Sequence, residues 1–203
     1  MIALVDYGLG NIAAFANIFR KLNRPVIVAG TPDQLELADR IILPGVGAFD
    51  WAMTRLNESG MRESLDALVL EKKRPVLGVC VGMQMMARRS EEGELDGLGW
   101  IDADVWRFSE SAFTHRAVLP HMGWNDAQPR NSAGLFDGLV APRFYFLHSY
   151  HLAVDDPRAV VAETVYGDVF PSAVGSGNVF GTQFHPEKSH HWGIRLLQNF
   201  AEL

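Results

Sequence analysis

A chain of 203 residues is long enough for one unit with a sizeable core, since domains run to about 100–200 residues. With 48% hydrophobic and 21% charged residues, the composition excludes a disordered chain. A net charge of −6 and a single cysteine exclude nucleic-acid binding by bulk electrostatics, a polybasic membrane anchor, an intrachain disulfide and a zinc cluster built on cysteines.

The elements follow in order. Residues 2–7 form a buried-strand run, with neither the basic region nor the cleavage pattern of a signal peptide. No apolar stretch approaches the ~20 residues of a membrane span. A cytoplasmic location is therefore expected, where a free thiol stays reduced. After the turn Gly8-Leu9-Gly10, Asn11 is placed to cap a helix whose apolar positions Ile12, Phe15, Phe19 and Leu22 recur at helical spacing. Residues 25–29 read as a second strand, and Thr31-Pro32 opens a short helix with Thr as cap and Pro in its first turn. Residues 40–43 form a third strand ending at Pro44-Gly45-Val46-Gly47. Helical patterns cover 49–57 and 61–72, a fourth strand 75–79, and a helix 83–89. Continuous apolar strands separated by helices predict a parallel sheet covered on both faces.

The second half is strand-rich, with segments at 100–108, 116–121, 143–154, 160–166, 172–175 and 178–184. Ser176-Gly177 marks a tight hairpin between the last two, and a helix from 190 to 202 closes the chain. The expected fold is α/β: a mostly parallel central sheet flanked by helices, with additional antiparallel strands in the second half.

The chemistry gathers around the lone cysteine. In Val76-Leu77-Gly78-Val79-Cys80-Val81-Gly82-Met83-Gln84 a buried strand runs through Gly-x-Cys-x-Gly into a helix. That is the layout of a nucleophile elbow with Cys in place of Ser. Side chains at Gly78 and Gly82 would collide with neighbouring backbone. The N-terminal partial charge of the following helix would favour the reactive thiolate. Taken alone, a lone cysteine is equally a buried apolar filler. A cysteine nucleophile needs a base, and the base an orienting group. Phe184-His185-Pro186-Glu187 supplies both: His185 to move the proton, Glu187 to hold the other ring nitrogen. Pro44-Gly45-Val46-Gly47 supplies glycine-freed backbone N–H groups for an oxyanion hole, although alone it is an ordinary turn. His190 and His191 make no metal set with His185, because adjacent helical residues point apart. Neither metal nor cofactor is expected.

The three segments, in this order and at this spacing, resemble the class I, triad-type glutamine amidotransferase family. The resemblance implies a single domain over 1–203 that hydrolyses L-glutamine to glutamate and ammonia through Cys80, His185 and Glu187. It implies an oxyanion hole from the backbone N–H groups of Val46 and Val81. It assigns substrate binding to Gly45, Gly47, Gln84, Leu147, His148 and Ser149. His148 as a second base is the minor alternative, having no partner acid nearby in sequence.

Longer matches sharpen the resemblance: Asp6-Tyr7-Gly8-x-Gly10-Asn11-Ile12, Leu119-Pro120-His121-Met122-Gly123-Trp124-Asn125, Tyr145-Phe146-Leu147-His148-Ser149-Tyr150 and Gln183 to Ser189. They are similar to the branch whose glutaminase subunits feed a separate (β/α)8-barrel cyclase of histidine biosynthesis. That implies a heterodimer, with Asn11, His121, Met122, Gly123, Trp124, Asn125, Tyr145 and Lys188 at or near the interface. Trp124 would be its aromatic anchor and Lys188 a gate on the ammonia path. No nucleic-acid or membrane partner is implied. Val81, Trp100 and the run Ser189-His190-His191-Trp192-Gly193 depart from that branch's usual residues. They leave open a paralogous branch whose cyclase-like partner amidates surface-polysaccharide sugars. A third class is a stand-alone Cys hydrolase or peptidase, which has no use for the Pro-His-Met-Gly-Trp-Asn segment.

Overall fold

The computed structural model describes residues 1–109, 111, 113, 118–130 and 134–203. The first half alternates as its apolar runs require: β1 (Ile2–Val5), α1 (Ile12–Lys21), β2 (Val26–Ala29), α2 (Pro32–Glu36), β3 (Arg40–Gly45), α3 (Phe49–Glu58), α4 (Arg62–Asp66), β4 (Val76–Cys80) and α5 (Val81–Met85). β1 and β4 are buried along their whole length and β3 along all but its first residue, the mark of strands covered on both faces. The amphipathic α1 buries Phe15, Ala16 and Phe19 against this sheet.

The second half contributes β5 (Ala103–Arg107), β6 (His121–Asp126), β7 (Gln128–Pro129), β8 (Arg143–His148), β9 (Tyr150–Val154), β10 (Val160–Tyr166), β11 (Asp168–Ser176), β12 (Val179–Thr182) and α6 (His190–Glu202). Among the described residues, eight strands form one sheet in the order β2-β1-β3-β4-β12-β11-β10-β7. The pairs from β2 to β12 are parallel, and those from β12 to β7 antiparallel. This is the expected α/β fold with antiparallel strands added from the second half. β5 pairs with β9 and β6 with β8 in two small separate sheets. No helix among the described residues is long and apolar enough to cross a membrane.

Several local expectations give way to tertiary hydrogen bonding. The helix expected at 83–89 instead spans Val81–Met85. It stops because the carbonyls of Met85, Met86 and Ala87 accept from the N–H groups of Leu98, Trp100 and Gly99. The helix expected over 61–72 is α4 followed by a π-helical turn, Ala67–Glu71. The strand expected at 143–154 is two strands that part at Ser149 for different sheets. Asn11 and Thr31 occupy N-cap positions, but neither side chain makes a cap hydrogen bond. The strand expected at 116–121 falls partly on residues 116 and 117, which lie outside the described residues; His121 itself opens β6. The hairpin between β11 and β12 turns at Gly177-Asn178, with Ser176 paired to Val179.

Candidate active site

Three adjacent strands of the sheet bring the distant segments together. β3, β4 and β12 are neighbours, and in register Gly45 lies beside Cys80 and Thr182 beside Val79. Their carboxyl ends carry the Pro44–Gly47 loop, Cys80 and the segment leading to His185. The carboxyl ends of parallel strands are where open α/β sheets hold ligands.

The elbow is strained as its geometry demands. Cys80 has φ 56° and ψ −115°, a left-handed conformation that a non-glycine residue keeps only when its surroundings enforce it. The enforcement is steric. A Cβ on Gly82 would lie 2.0 Å from the Leu43 carbonyl oxygen, and one on Gly45 would lie 2.4 Å from the Gly82 nitrogen. The elbow and the Pro44–Gly47 segment thus pack backbone to backbone. The Tyr7 hydroxyl fixes this junction from below, donating to the Pro44 carbonyl at 2.6 Å. Burial, then the nearby Cys80 charge, raise the Tyr7 pKa, so the hydroxyl keeps its proton and remains a donor.

His185 Nδ1 lies 3.0 Å from Glu187 Oε1, and the two side chains are 3% and 2% exposed. Glu187 Oε2 has no hydrogen-bond partner among the described residues, so its charge is answered through His185. Burial pulls the imidazole pKa down. Hydrogen bonding to Cys80 and Glu187, together with their charges, outweighs it and raises the pKa to about 9. With Nδ1 committed to Glu187, Nε2 is the nitrogen left to face the sulfur.

Cys80, Val81, Gln84 and His185 line a cavity of about 250 Å³ with Val46, Gly47, Glu92, Pro120, Leu147, His148, Ser149, Tyr150 and Lys188. Leu147 offers its carbonyl to the sulfur at 3.8 Å. Val81 opens α5, so its N–H precedes the first intrahelical bond. Gly45, expected among the substrate-binding residues, is buried in the last position of β3 and does not line the cavity. His148 is buried, with Nδ1 2.8 Å from the Tyr150 carbonyl. Burial holds its pKa well below the usual histidine value.

Of the residues expected at a partner face, Asn11 stands at the start of α1; the others lie on or beside β6 and β8, whose register sets Met122 beside Leu147 and Trp124 beside Tyr145. Met122 is 66% and Trp124 40% exposed. Trp124 stacks on His190 with ring centroids 5.3 Å apart. The Lys188 ammonium stands 5.8 Å from the Tyr145 ring centre, so this cluster reaches the cavity that Lys188 lines. Gly123 and Asn125 are half-buried and Asn11 is exposed. The side chain of His121 turns inward and is buried.

Sequence reasoning missed Glu92 and Gln183. Glu92 lines the cavity while its Oε2 accepts from the Phe49 N–H at 2.9 Å, tying it to the start of α3 just after the Pro44–Gly47 segment; nothing in its own neighbourhood signals this. Gln183 is fully buried and its Nε2 lies 3.8 Å from Cys80 Sγ. Its placement two residues before His185, just past the end of β12, was the available signal.

Residues 3–202 match the family model described as glutamine amidotransferase class-I. The chain is 56% identical over 204 residues to imidazole glycerol phosphate synthase subunit HisH of Bdellovibrio bacteriovorus, with 100% of each chain covered. It is 48% identical to the subunit of the same name from Leptospira interrogans, again with 100% of each covered. A glutamine amidotransferase crystal structure superposes with a TM-score of 0.77 at 20% identity, covering 100% of this chain and 99% of that one, a likeness of fold. An elbow cysteine, a shielded His–Glu pair and a glycine loop meeting at three strand ends are thus found in a sequence that matches one family from end to end, and the chain belongs to the class-I glutamine amidotransferases.

Proposed function

We propose that residues 1–203 act as one glutaminase domain, the glutamine-hydrolysing subunit of a cytoplasmic imidazole glycerol phosphate synthase. It passes ammonia to a (β/α)8-barrel cyclase subunit, with which it forms a heterodimer of histidine biosynthesis. The observation that carries the hydrolytic part is the solvent-shielded His185–Glu187 pair beside Cys80 at a cavity of amino-acid size. Its volume of about 250 Å³ falls below the roughly 300–1,000 Å³ of pockets for drug-sized ligands.

With a pKa raised to about 9, His185 is protonated at neutral pH and faces the sulfur. Cys80 attacks the side-chain amide carbon of glutamine as the thiolate. The oxyanion that forms is met by the N–H of Val81 and, after the loop peptide turns, that of Val46; each such donor is worth about 10²–10³ in turnover. His185 then gives its proton to the departing nitrogen, so ammonia leaves and a glutamyl thioester remains. The now neutral imidazole takes a proton from water, which attacks the thioester and releases glutamate and the thiolate. Glu187 keeps the ring in the required tautomer and stabilises its charged form.

The substrate's α-amino and carboxylate groups need complementary partners. Glu92 supplies a carboxylate for the ammonium. The Gln84 amide nitrogen is already committed to Tyr150 and Gln183, which leaves its carbonyl oxygen to offer. Backbone of Gly47 and of Leu147 to Ser149, which lines the cavity, reads the remainder.

Ammonia released into water at neutral pH takes a proton and loses its nucleophilicity. A separate glutaminase therefore works only when docked on the enzyme that consumes the ammonia. The exposed Met122 and Trp124 beside the cavity supply an apolar docking surface of the kind interfaces centre on. Lys188 lines the cavity and reaches toward Tyr145 on β8, which supports a role for it as the gate on the ammonia path. The names of the relatives support the histidine pathway over an acceptor on surface sugars. The test is to purify the chain with its barrel partner and follow nitrogen from labelled glutamine. Labelled imidazole glycerol phosphate is the expected product; label in an amidated sugar instead would overturn the pathway assignment.

A further inference from the structure

Gln183 is buried in the wall behind the nucleophile and takes no part in the Cys80–His185–Glu187 chemistry described above. Which end of its amide faces the sulfur follows from its neighbours. Gln84 meets the backbone carbonyl of Tyr150 at 3.1 Å. A carbonyl only accepts, so that end of Gln84 is its NH2. The second hydrogen of the same nitrogen points to Gln183 at 3.0 Å, so the Gln183 atom there is Oε1. Its NH2 is thereby turned to Cys80 Sγ, at 3.8 Å.

The Tyr150 carbonyl has a second donor, His148 Nδ1 at 2.8 Å. With Nδ1 protonated, neutral His148 can only accept at Nε2, where His121 Nδ1 lies 3.0 Å away. His121 in turn accepts at Nε2 from the Asn125 side-chain amide at 3.2 Å, and the same amide nitrogen donates to the Val165 carbonyl at 3.0 Å. Burial keeps both imidazoles from charging, His121 with a pKa near 4 and His148 well below its usual value. The donor sense of every link is therefore fixed at neutral pH. His121 stacks on Tyr166 at 3.9 Å between ring centres, which holds the ring plane, and its partners His148 and Asn125 set which nitrogen faces which.

We propose that Gln183 is a further catalytic residue, donating its amide N–H to the Cys80 thiolate, and that its aim is set by the hydrogen-bonded chain that joins it through Gln84, Tyr150, His148 and His121 to Asn125 on β6. The donated hydrogen bond holds the sulfur toward the substrate amide carbon. It acts again in deacylation, when the sulfur departs from the thioester carrying the electron pair. Asn125 belongs to the strand that presents Met122 and Trp124 to a partner, so a shift of that strand on docking is transmitted to the nucleophile.

This inference rests on Cys80 being the glutaminase nucleophile, and the experiment separates the two. The alkylation rate of Cys80 by iodoacetamide is measured against pH in the full chain, alongside kcat and KM for glutamine in the complex. Gln183→Met keeps the length and removes the amide. Its alkylation midpoint should rise by about one pH unit and kcat fall about tenfold, the worth of one hydrogen bond to a charged group. KM should change by less than about threefold, a split that loss of packing alone would not produce. His121→Phe keeps the ring stacking and cuts the chain; it should move the midpoint in the same direction by a smaller amount. A folded Gln183→Met protein with an unchanged alkylation profile overturns the proposal. If that variant does not fold, an unchanged profile in His121→Phe overturns it. A wild-type Cys80 no more reactive than a free thiol overturns the glutaminase reading itself.

Discussion

The imidazole Nδ1 of His185 lies 3.0 Å from a carboxylate oxygen of Glu187, two residues along the chain, and neither side chain is more than 3% exposed. The Pro186 between them holds φ near −65° and stands in a single 3-10 turn, Pro186–Lys188, so the acid returns to the ring it orients. A buried carboxylate with one hydrogen-bond partner is stable only while that partner carries positive charge.

Glu187→Gln keeps the shape and the contact but removes the charge. The His185 pKa should fall, and kcat should drop by about 10²–10⁴ with little change in KM, as when the orienting acid of a catalytic triad is neutralised. Steady-state glutaminase kinetics across pH, with partner present, check this.

The raised His185 pKa also has a consequence for stability. The ordinary histidine value is 6.5 and the folded value is about 9, so the folded state binds the proton more tightly than the unfolded state. The stabilisation is fully present below pH 6.5 and is lost as pH rises through 9. Of the influences that raise the pKa, the hydrogen bond to Cys80 stands first, ahead of the one to Glu187. Cys80→Ala should therefore lose less melting temperature than wild type between pH 7 and 9.5. Thermal melts at stepped pH give the comparison, and parallel curves for the two proteins would contradict it.

Gly82→Ala tests the packing of the elbow. Its Cβ would meet the Leu43 carbonyl oxygen at 2.0 Å, an overlap that only backbone displacement of β3 or α5 relieves. A loss of roughly 3 kcal/mol is expected, at the upper end for overpacking, read as a fall in the denaturant midpoint. The same displacement carries the Pro44–Gly47 segment with it, so activity should fall more than stability alone explains.

Much of this architecture is legible in the sequence because it is local. The runs that become β1, β3 and β4 are continuous and apolar, and burial on both faces of a parallel sheet requires that. The glycines around Cys80 announce the elbow because backbone crowding leaves no room for a side chain. What escapes is set by distant partners. Residues 143–154 read as one strand because apolar residues recur through them, yet Ser149 is where the chain leaves β6's partner for β5's. The helix after the elbow ends at Met85 because backbone groups of residues 98–100 claim the carbonyls that follow. β6 hides in Met122-Gly123-Trp124, where outward-facing Met and Trp reverse the usual apolar-inward pattern. Gln183 and Glu92 owe their places at the site to Cys80 and Phe49, residues 103 and 43 positions away.

The central claim is that Cys80 is the nucleophile of a partner-coupled glutaminase. The direct measurement is glutamate release by Cys80→Ala in complex with the barrel subunit, with complex formation followed in the same preparation. Glutamate release should fall to the uncatalysed background while the complex still forms and the fold is retained. Continued glutamate production by that variant would contradict the account.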